Sequence, residues 1–297
     1  MPSSELNRMP LFHIIRALLL TLLTVALLGG CSVARLGYGQ LPGLSYWWVD
    51  SYLDLNDAQS VPLRSDLQNL LAWHRSQELP QLARALADVQ AQAVQDTTPE
   101  QMCQIADRFK LRLDAVLAQS ELSFARLALT IKPEQLQHLQ HQQEKNAQKW
   151  REDWLKDSPA EQQKRRLKRL VERSEGFYGT LSDAQIALLR AGVQGTPYNT
   201  QLAEFEMLRR NQDLLATLQA LAGSGKTPQQ AQDAVHALIG RSVQSPNTVY
   251  RAQIAQLVQS NCNTFAQLHN SASPAQRQKF AAKLKGYEDD ARALMAH

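Results

Sequence analysis

Ser158-Pro159-Ala160-Glu161 opens a helix, and the same device recurs at Thr98-Pro99-Glu100-Gln101, Thr227-Pro228-Gln229-Gln230 and Ser273-Pro274-Ala275-Gln276. In each, the Ser or Thr oxygen is placed to accept an orphan N–H of the first turn. Proline sits at the first helical position, where its missing N–H costs nothing, and the third position carries a Glu or Gln that reaches back to the cap. Ser182-Asp183-Ala184-Gln185 is the same box without proline, and Thr196-Pro197 and Ser245-Pro246 are weaker starts. Between these starts the apolar spacing is helical. Leu167, Leu170, Val171, Phe177 and Tyr178 share one face, with Lys164, Arg165, Lys168, Arg169 and Arg173 largely off it. Leu63, Leu67, Leu70, Leu71 and His74 repeat the pattern, and no stretch alternates with period two. The sequence therefore predicts an all-α protein, an antiparallel bundle of some eight to ten helices joined by short connections.

Outward from these helices, the N-terminus has another character. Arg8 and Arg16 precede an apolar run from Ala17 to Leu28, which ends in Gly29-Gly30-Cys31. A run of roughly twelve apolar residues is too short to span a bilayer and has the order of a secretory signal. Leu28-Gly29-Gly30-Cys31 resembles the bacterial lipobox. That resemblance implies cleavage before Cys31, diacylglycerol on its sulfur and, usually, a further acyl chain on the freed amine. The alternatives are an ordinary signal peptide with a fortuitous cysteine, or an uncleaved anchor. Ser32 in place of an aspartate favours the outer membrane over retention at the inner one. The expected division is a signal peptide at 1–30, a Gly- and Pro-containing tether at 31–45 and one helical domain at 46–297, with a possible sub-boundary near 192–196.

The formal charge of +4 falls to +3 without residues 1–30, a modest balance. That balance argues neither for nor against nucleic acid; it is the periplasmic address that speaks against nucleic acid as a partner. In an oxidising compartment, the remaining cysteines, Cys103 and Cys262, read as one disulfide, and two separate buried thiols are the alternative.

The densest chemistry follows the tether: Tyr46-Trp47-Trp48-Val49-Asp50-Ser51-Tyr52-Leu53-Asp54-Leu55, then Trp73-His74-Arg75 and Glu78-Leu79-Pro80. Trp47, Trp48, Asp50, Tyr52, Asp54, Trp73, His74 and Arg75 form the expected interaction patch. The aromatic rings suit a bilayer interface, or they plug one end of the bundle. His74 falls on an apolar stripe, as a hydrogen-bonded core histidine would. The lipobox, Trp-Trp-x-Asp-x-Tyr-Leu-Asp-Leu and Trp-His-Arg-x-x-Glu-Leu-Pro together resemble a proteobacterial family of lipoproteins of unknown function. Asn146 to Trp150, the basic helix Arg165–Arg173, Leu181 to Gln185, Gln276-Arg277 and Leu284 to Tyr287 extend the resemblance. It implies a helical, surface-anchored envelope protein and brings no activity with it.

Other motifs carry less. Gly223-Ser224-Gly225-Lys226-Thr227 has the tail of a phosphate loop, but Ala220 replaces the required glycine and a helix precedes it. Glu134, His138 and His141 share a polar helical face without a fourth ligand, so no metal and no cofactor is expected. The basic run from Lys164 to Arg173 is a solvated face, a contact for phosphate head groups or lipopolysaccharide, or a cover for Asp50 and Asp54. The leading expectation is a non-enzymatic interaction or structural module. It would be tethered at Cys31 to the outer membrane, face the periplasm and act on one or more envelope proteins. A periplasmic chaperone is the alternative, because Leu55-Asn-Asp-Ala-Gln59 and Leu181-Ser-Asp-Ala-Gln185 are similar to a signature of small Spy-type chaperones. An enzyme acting on lipid or peptidoglycan through Asp50, His74 and Glu78 is a third class.

Overall fold

The computed structural model describes residues 35, 37–196 and 198–296. Cys31 and the apolar run before it lie outside the described residues. The chain divides into a unit of Met1–Leu41 and a larger compact unit of Pro42–His297, which holds everything discussed below.

That unit is built of helices alone among the described residues: α1 (Leu41–Leu53), α2 (Asp57–Trp73), α3 (Leu79–Gln92), α4 (Pro99–Leu129), α5 (Pro133–Trp154), α6 (Pro159–Tyr178), α7 (Asp183–Gly195), α8 (Thr200–Leu221), α9 (Pro228–Val243), α10 (Thr248–Asn270) and α11 (Pro274–Met295). A single π turn at His74–Glu78 joins α2 to α3, so these two form one rod. The four proline boxes start α4, α6, α9 and α11, each with its Ser or Thr oxygen accepting from the third residue. Helix α1 reaches back to Leu41, into the segment expected as tether. Gly192, expected near a sub-boundary, lies inside α7, where a Cβ would meet Thr264 Oγ1 at 2.5 Å. It marks a close approach of α7 to α10.

The 31-residue α4 is the spine, packing against α2, α3, α8, α9 and α10. Helix α11 lies along α3, α8 along α5, and α7 against α6 and α10. Leu218, Leu221 and Val235 are fully buried in the larger core, and Leu189 and Leu268 in a second one. Cys103 of α4 and Cys262 of α10 form a disulfide with a Cα–Cα distance of 5.4 Å.

Two pairs of glutamines fasten the helix starts to one another. Gln59, third residue of α2, and Gln135, third of α5, accept at Oε1 from the N–H of Asn56 and of Lys132 respectively. Their carboxamides then pair reciprocally, Nε2 to Oε1, at 2.9 and 2.8 Å. The second proton of Gln59 goes to the Thr130 carbonyl at 2.9 Å, and Gln135 donates to those of Leu53 and Asp54 at 2.9 and 3.0 Å. Gln185 of α7 and Gln276 of α11 repeat the arrangement, paired at 2.9 and 3.0 Å and donating to the Ser271 and Thr180 carbonyls. The similar pentapeptides at 55–59 and 181–185 thus occupy equivalent places. Asp54, in the turn before Asn56, takes a left-handed φ of 47°, and Gly179, just before the second box, one of 76°.

A buried ion network holds α8 to α9. Glu206, 1% exposed, accepts from Arg209, Arg210 and Ser245, while Asp213 accepts from Arg209 and Arg241. Burial alone would raise the Glu206 carboxyl. The hydrogen bonds from Arg209, Ser245 and Arg210 outweigh it and hold the pKa at about 2.

Three outcomes follow for stability. Replacing both disulfide cysteines, Cys103→Ser with Cys262→Ser, opens a loop with a sequence separation of 159, and should lower unfolding free energy in urea by about 5 kcal/mol on the chain-entropy account. Gln135→Leu removes one partner from each end of the buried Gln59 amide and takes the Gln135 bonds away from the Lys132 N–H and the Leu53 and Asp54 carbonyls, and should cost about 2–3 kcal/mol in the same measurement. Because the folded pKa of Glu206 is depressed to about 2, its contribution is present above the unfolded value near 4.5 and lost as pH falls from there towards 2. On the order of 3 kcal/mol is at stake, and Glu206→Gln should flatten that acid limb of a stability–pH profile.

Candidate binding surface and apolar cavity

Helix α1 is short and carries two kinds of face. Tyr46 and Leu53 turn inward, with the Tyr46 hydroxyl 2.9 Å from Ser60 Oγ on α2 and the Arg64 guanidinium 3.4 Å from its ring centroid. Leu44, Trp47, Trp48 and Ser51 face outward, at helical spacing on one stripe, with Trp47 69% and Trp48 65% exposed. Large exposed apolar surface of this kind marks an interaction site more often than a lone exposed leucine does.

The other expected patch residues on this helix work locally. Asp50 Oδ1 accepts the Leu55 N–H at 2.9 Å and so closes the turn into α2. Tyr52 packs its ring 5.1 Å from that of Trp48 and accepts at its hydroxyl from Asn146 of α5 at 2.7 Å. Asp54 supplies the left-handed turn residue and a carbonyl to the Gln135 clasp.

Trp73, His74 and Arg75 stand apart from this group. The Tyr46–Ser60 contact fixes where α1 meets α2, and Trp73 is thirteen residues beyond Ser60, about 20 Å along the helix axis. The expected patch is therefore two separate places. His74 sits half-buried in the π turn, where burial pushes its imidazole below the ordinary value and Glu78 pulls it partly back. Glu78 is buried and receives Arg112 of α4 at 3.4 Å. Asp50 is not brought to His74 and Glu78, so these three do not form one constellation.

Behind the α1 stripe lies a feature without a sequence motif. A cavity of about 640 Å³ opens among α1, α2, α4, α5, α8 and α9, walled by Trp48, Val49, Tyr52, Leu67, Phe124, Leu214 and Ile239 among others. Its size is that of a ligand-binding cavity. Three small residues, Ser120, Ser123 and Ser242, leave space that larger side chains would fill. Polar groups at its edge are engaged: Asp66 with Arg126 at 3.0 Å, Arg210 with Glu206 at 2.8 Å, and Gln143 with the Asn211 carbonyl at 3.2 Å. Its walls come from six helices, each contributing two to five residues that read in sequence as ordinary core or surface positions.

The remaining motifs resolve into structure. Gly223 and Gly225 adopt φ of 60° and 67° between α8 and α9, and Thr227 caps α9. His138 lies 3.2 Å from the Ser51 carbonyl, and among the described residues no three His, Cys, Asp or Glu side chains gather as a metal site. The basic run does not reach Asp50 or Asp54. Arg165 pairs with Asp157, Arg166 donates to the Thr196 carbonyl, and Arg169 stacks over Trp154. Among the described residues no helix is long and apolar enough to cross a membrane.

No curated protein and no solved structure matches the chain. A family model described as a family of unknown function (DUF6279) matches residues 51–251, which takes in everything from the end of α1 to the start of α10. The chain belongs to that family of unknown function, DUF6279.

Proposed function

We propose that this protein is a lipoprotein of the bacterial outer membrane, anchored through Cys31 and facing the periplasm. In this reading its helical body is a non-enzymatic interaction module. The observation that carries the reading is the exposed stripe of Leu44, Trp47 and Trp48, backed by the apolar cavity to which Trp48 itself contributes a wall. Nine residues lie between Cys31 and the start of α1 at Leu41, so even a fully extended connection would hold that start within about 35 Å of the bilayer surface and the stripe within about 45 Å. Two or three acyl chains on Cys31 would make the anchoring effectively permanent. The partner is an envelope protein that offers an apolar helix or segment. Large side chains at its centre would enter the cavity while the tryptophans cover its flank, as in helix-in-groove recognition.

The chaperone reading draws on the same exposed apolar surface. Its signature pentapeptides, however, are accounted for by the glutamine clasps, which use Gln59 and Gln185 structurally.

Cys31→Ser should move the protein from the membrane fraction to the soluble periplasmic fraction. With Cys31 intact, in-cell crosslinking should capture one or two envelope proteins, and Trp47→Ala with Trp48→Ala should reduce that capture by about tenfold or more without changing the circular dichroism spectrum. A diffuse set of captured clients would favour chaperoning instead, and capture unaffected by the tryptophan variant would overturn the proposed surface.

A further inference from the structure

Helix α6 carries its basic residues on two sides, and the two sides differ in how their charge is met. On one, Arg165 is paired with Asp157, its guanidinium also 5.3 Å from the Trp154 ring centroid, and Lys168 with Glu172 at 3.8 Å. On the other, Arg166, Arg169 and Arg173 line a cleft of about 330 Å³ between α6, α7 and α10, closed at one end by Trp154 and Tyr198. No carboxylate lines that cleft. Arg166 lies 5.7 Å from the Tyr198 ring centroid and donates to the Thr196 carbonyl at 3.0 Å, and Arg169 lies 4.9 Å from the Trp154 ring centroid. Burial disfavours the charged form of Arg166, and the opposing contribution comes from the Tyr198 phenol rather than from a carboxylate.

Arg166 is half-buried, whereas Arg169 and Arg173 are exposed at the cleft's solvent edge, and a guanidinium that loses part of its hydration is stabilised when an anion meets it. Here aromatic faces hold two of the three in place without neutralising them. Guanidinium forks match the oxygens of a phosphate, and the Asn261 side chain adds a polar group to the same wall. Leu170, Val193 and Phe265 make the rest of the lining apolar, so the ligand carries a non-polar body as well as its charge.

We propose that this cleft is a binding site for a phosphate group borne on an apolar body, the chemistry of a phospholipid head group with the first part of its chains. It shares no lining residue with the cavity behind α1, so it stands or falls separately from the proposed interaction surface.

The test is calorimetric titration of the full chain in a neutral detergent with three probes: inorganic phosphate, short-chain dihexanoylphosphatidic acid and uncharged dihexanoylglycerol. The phosphatidic acid should bind saturably and dihexanoylglycerol should not. Arg166→Gln with Arg169→Gln and Arg173→Gln should weaken binding about tenfold or more, whereas Lys164→Gln with Lys168→Gln, on the outer face, should leave it within about twofold. Inorganic phosphate binding as tightly as the phosphatidic acid would identify a free phosphate compound as the source, and much weaker phosphate binding would identify a lipid head group. If the triple variant does not fold, Arg173→Gln alone should still weaken binding measurably. Absence of saturable binding, binding unchanged in the arginine variants, or an equal loss in the lysine variant would overturn the proposal.

Discussion

The reciprocal pairing of buried glutamine side chains is the constraint from which the rest of this bundle takes its geometry. A carboxamide has two donors and one oxygen able to accept twice, and in Gln59 and Gln135 each of these capacities is used. One oxygen lone pair completes the residue's own helix cap and the other takes the partner's proton, while the remaining proton ties down the loop across the way. A half-satisfied version would be worse than an apolar contact, because each unpaired amide group would be buried at full cost. The two helix starts are thus fixed in angle and register together. Gln185 and Gln276 do the same at a second place, which gives the bundle two equivalent corners.

Between these corners, α4 serves as the common wall, and the covalent and ionic fastenings fall where the corners do not reach. The disulfide joins α4 to α10. The Glu206–Arg209–Asp213–Arg241 network joins α8 to α9. A buried ion cluster of this kind is weak evidence of stability in itself, since its desolvation cost offsets much of its attraction. Its contribution here is directional: Arg209 also donates to the Arg241 carbonyl, so the end of α9 has one place to sit.

The helical class was legible because it is written locally. Capping boxes at Ser158, Thr98, Thr227 and Ser273 are complete within four residues, and each begins a helix where its pattern says. The disulfide was legible from the number of cysteines together with the compartment expected from the N-terminus. What was not legible depends on distance through space. Asp50 looked like a functional acid and is a turn-closing acceptor for Leu55, and Trp73 to Arg75 read as part of the α1 patch although the length of α2 carries them away. The apolar cavity was invisible because its walls come from six helices. The arginine cleft was half visible as a basic run, but periodicity could not say that Arg165 and Lys168 find carboxylates while Arg166, Arg169 and Arg173 line an open space in which no carboxylate stands. The repeated Leu-x-Asp-Ala-Gln pentapeptides, similar in sequence to a chaperone signature, stand at the two helix starts that carry the glutamine pairs.

The Cys103–Cys262 bond also has an order of events written into it. If the chain is exported N-terminus first, as proposed, Cys103 would meet an oxidising medium while most of α4 and everything to α10 is still to come. During that interval the nearest other thiol along the chain is Cys31. A sulfur converted to a thioether can form no disulfide, so acylation at Cys31 would do more than anchor the protein. It would remove the competing partner and leave Cys103 to wait for the one cysteine that closes the fold.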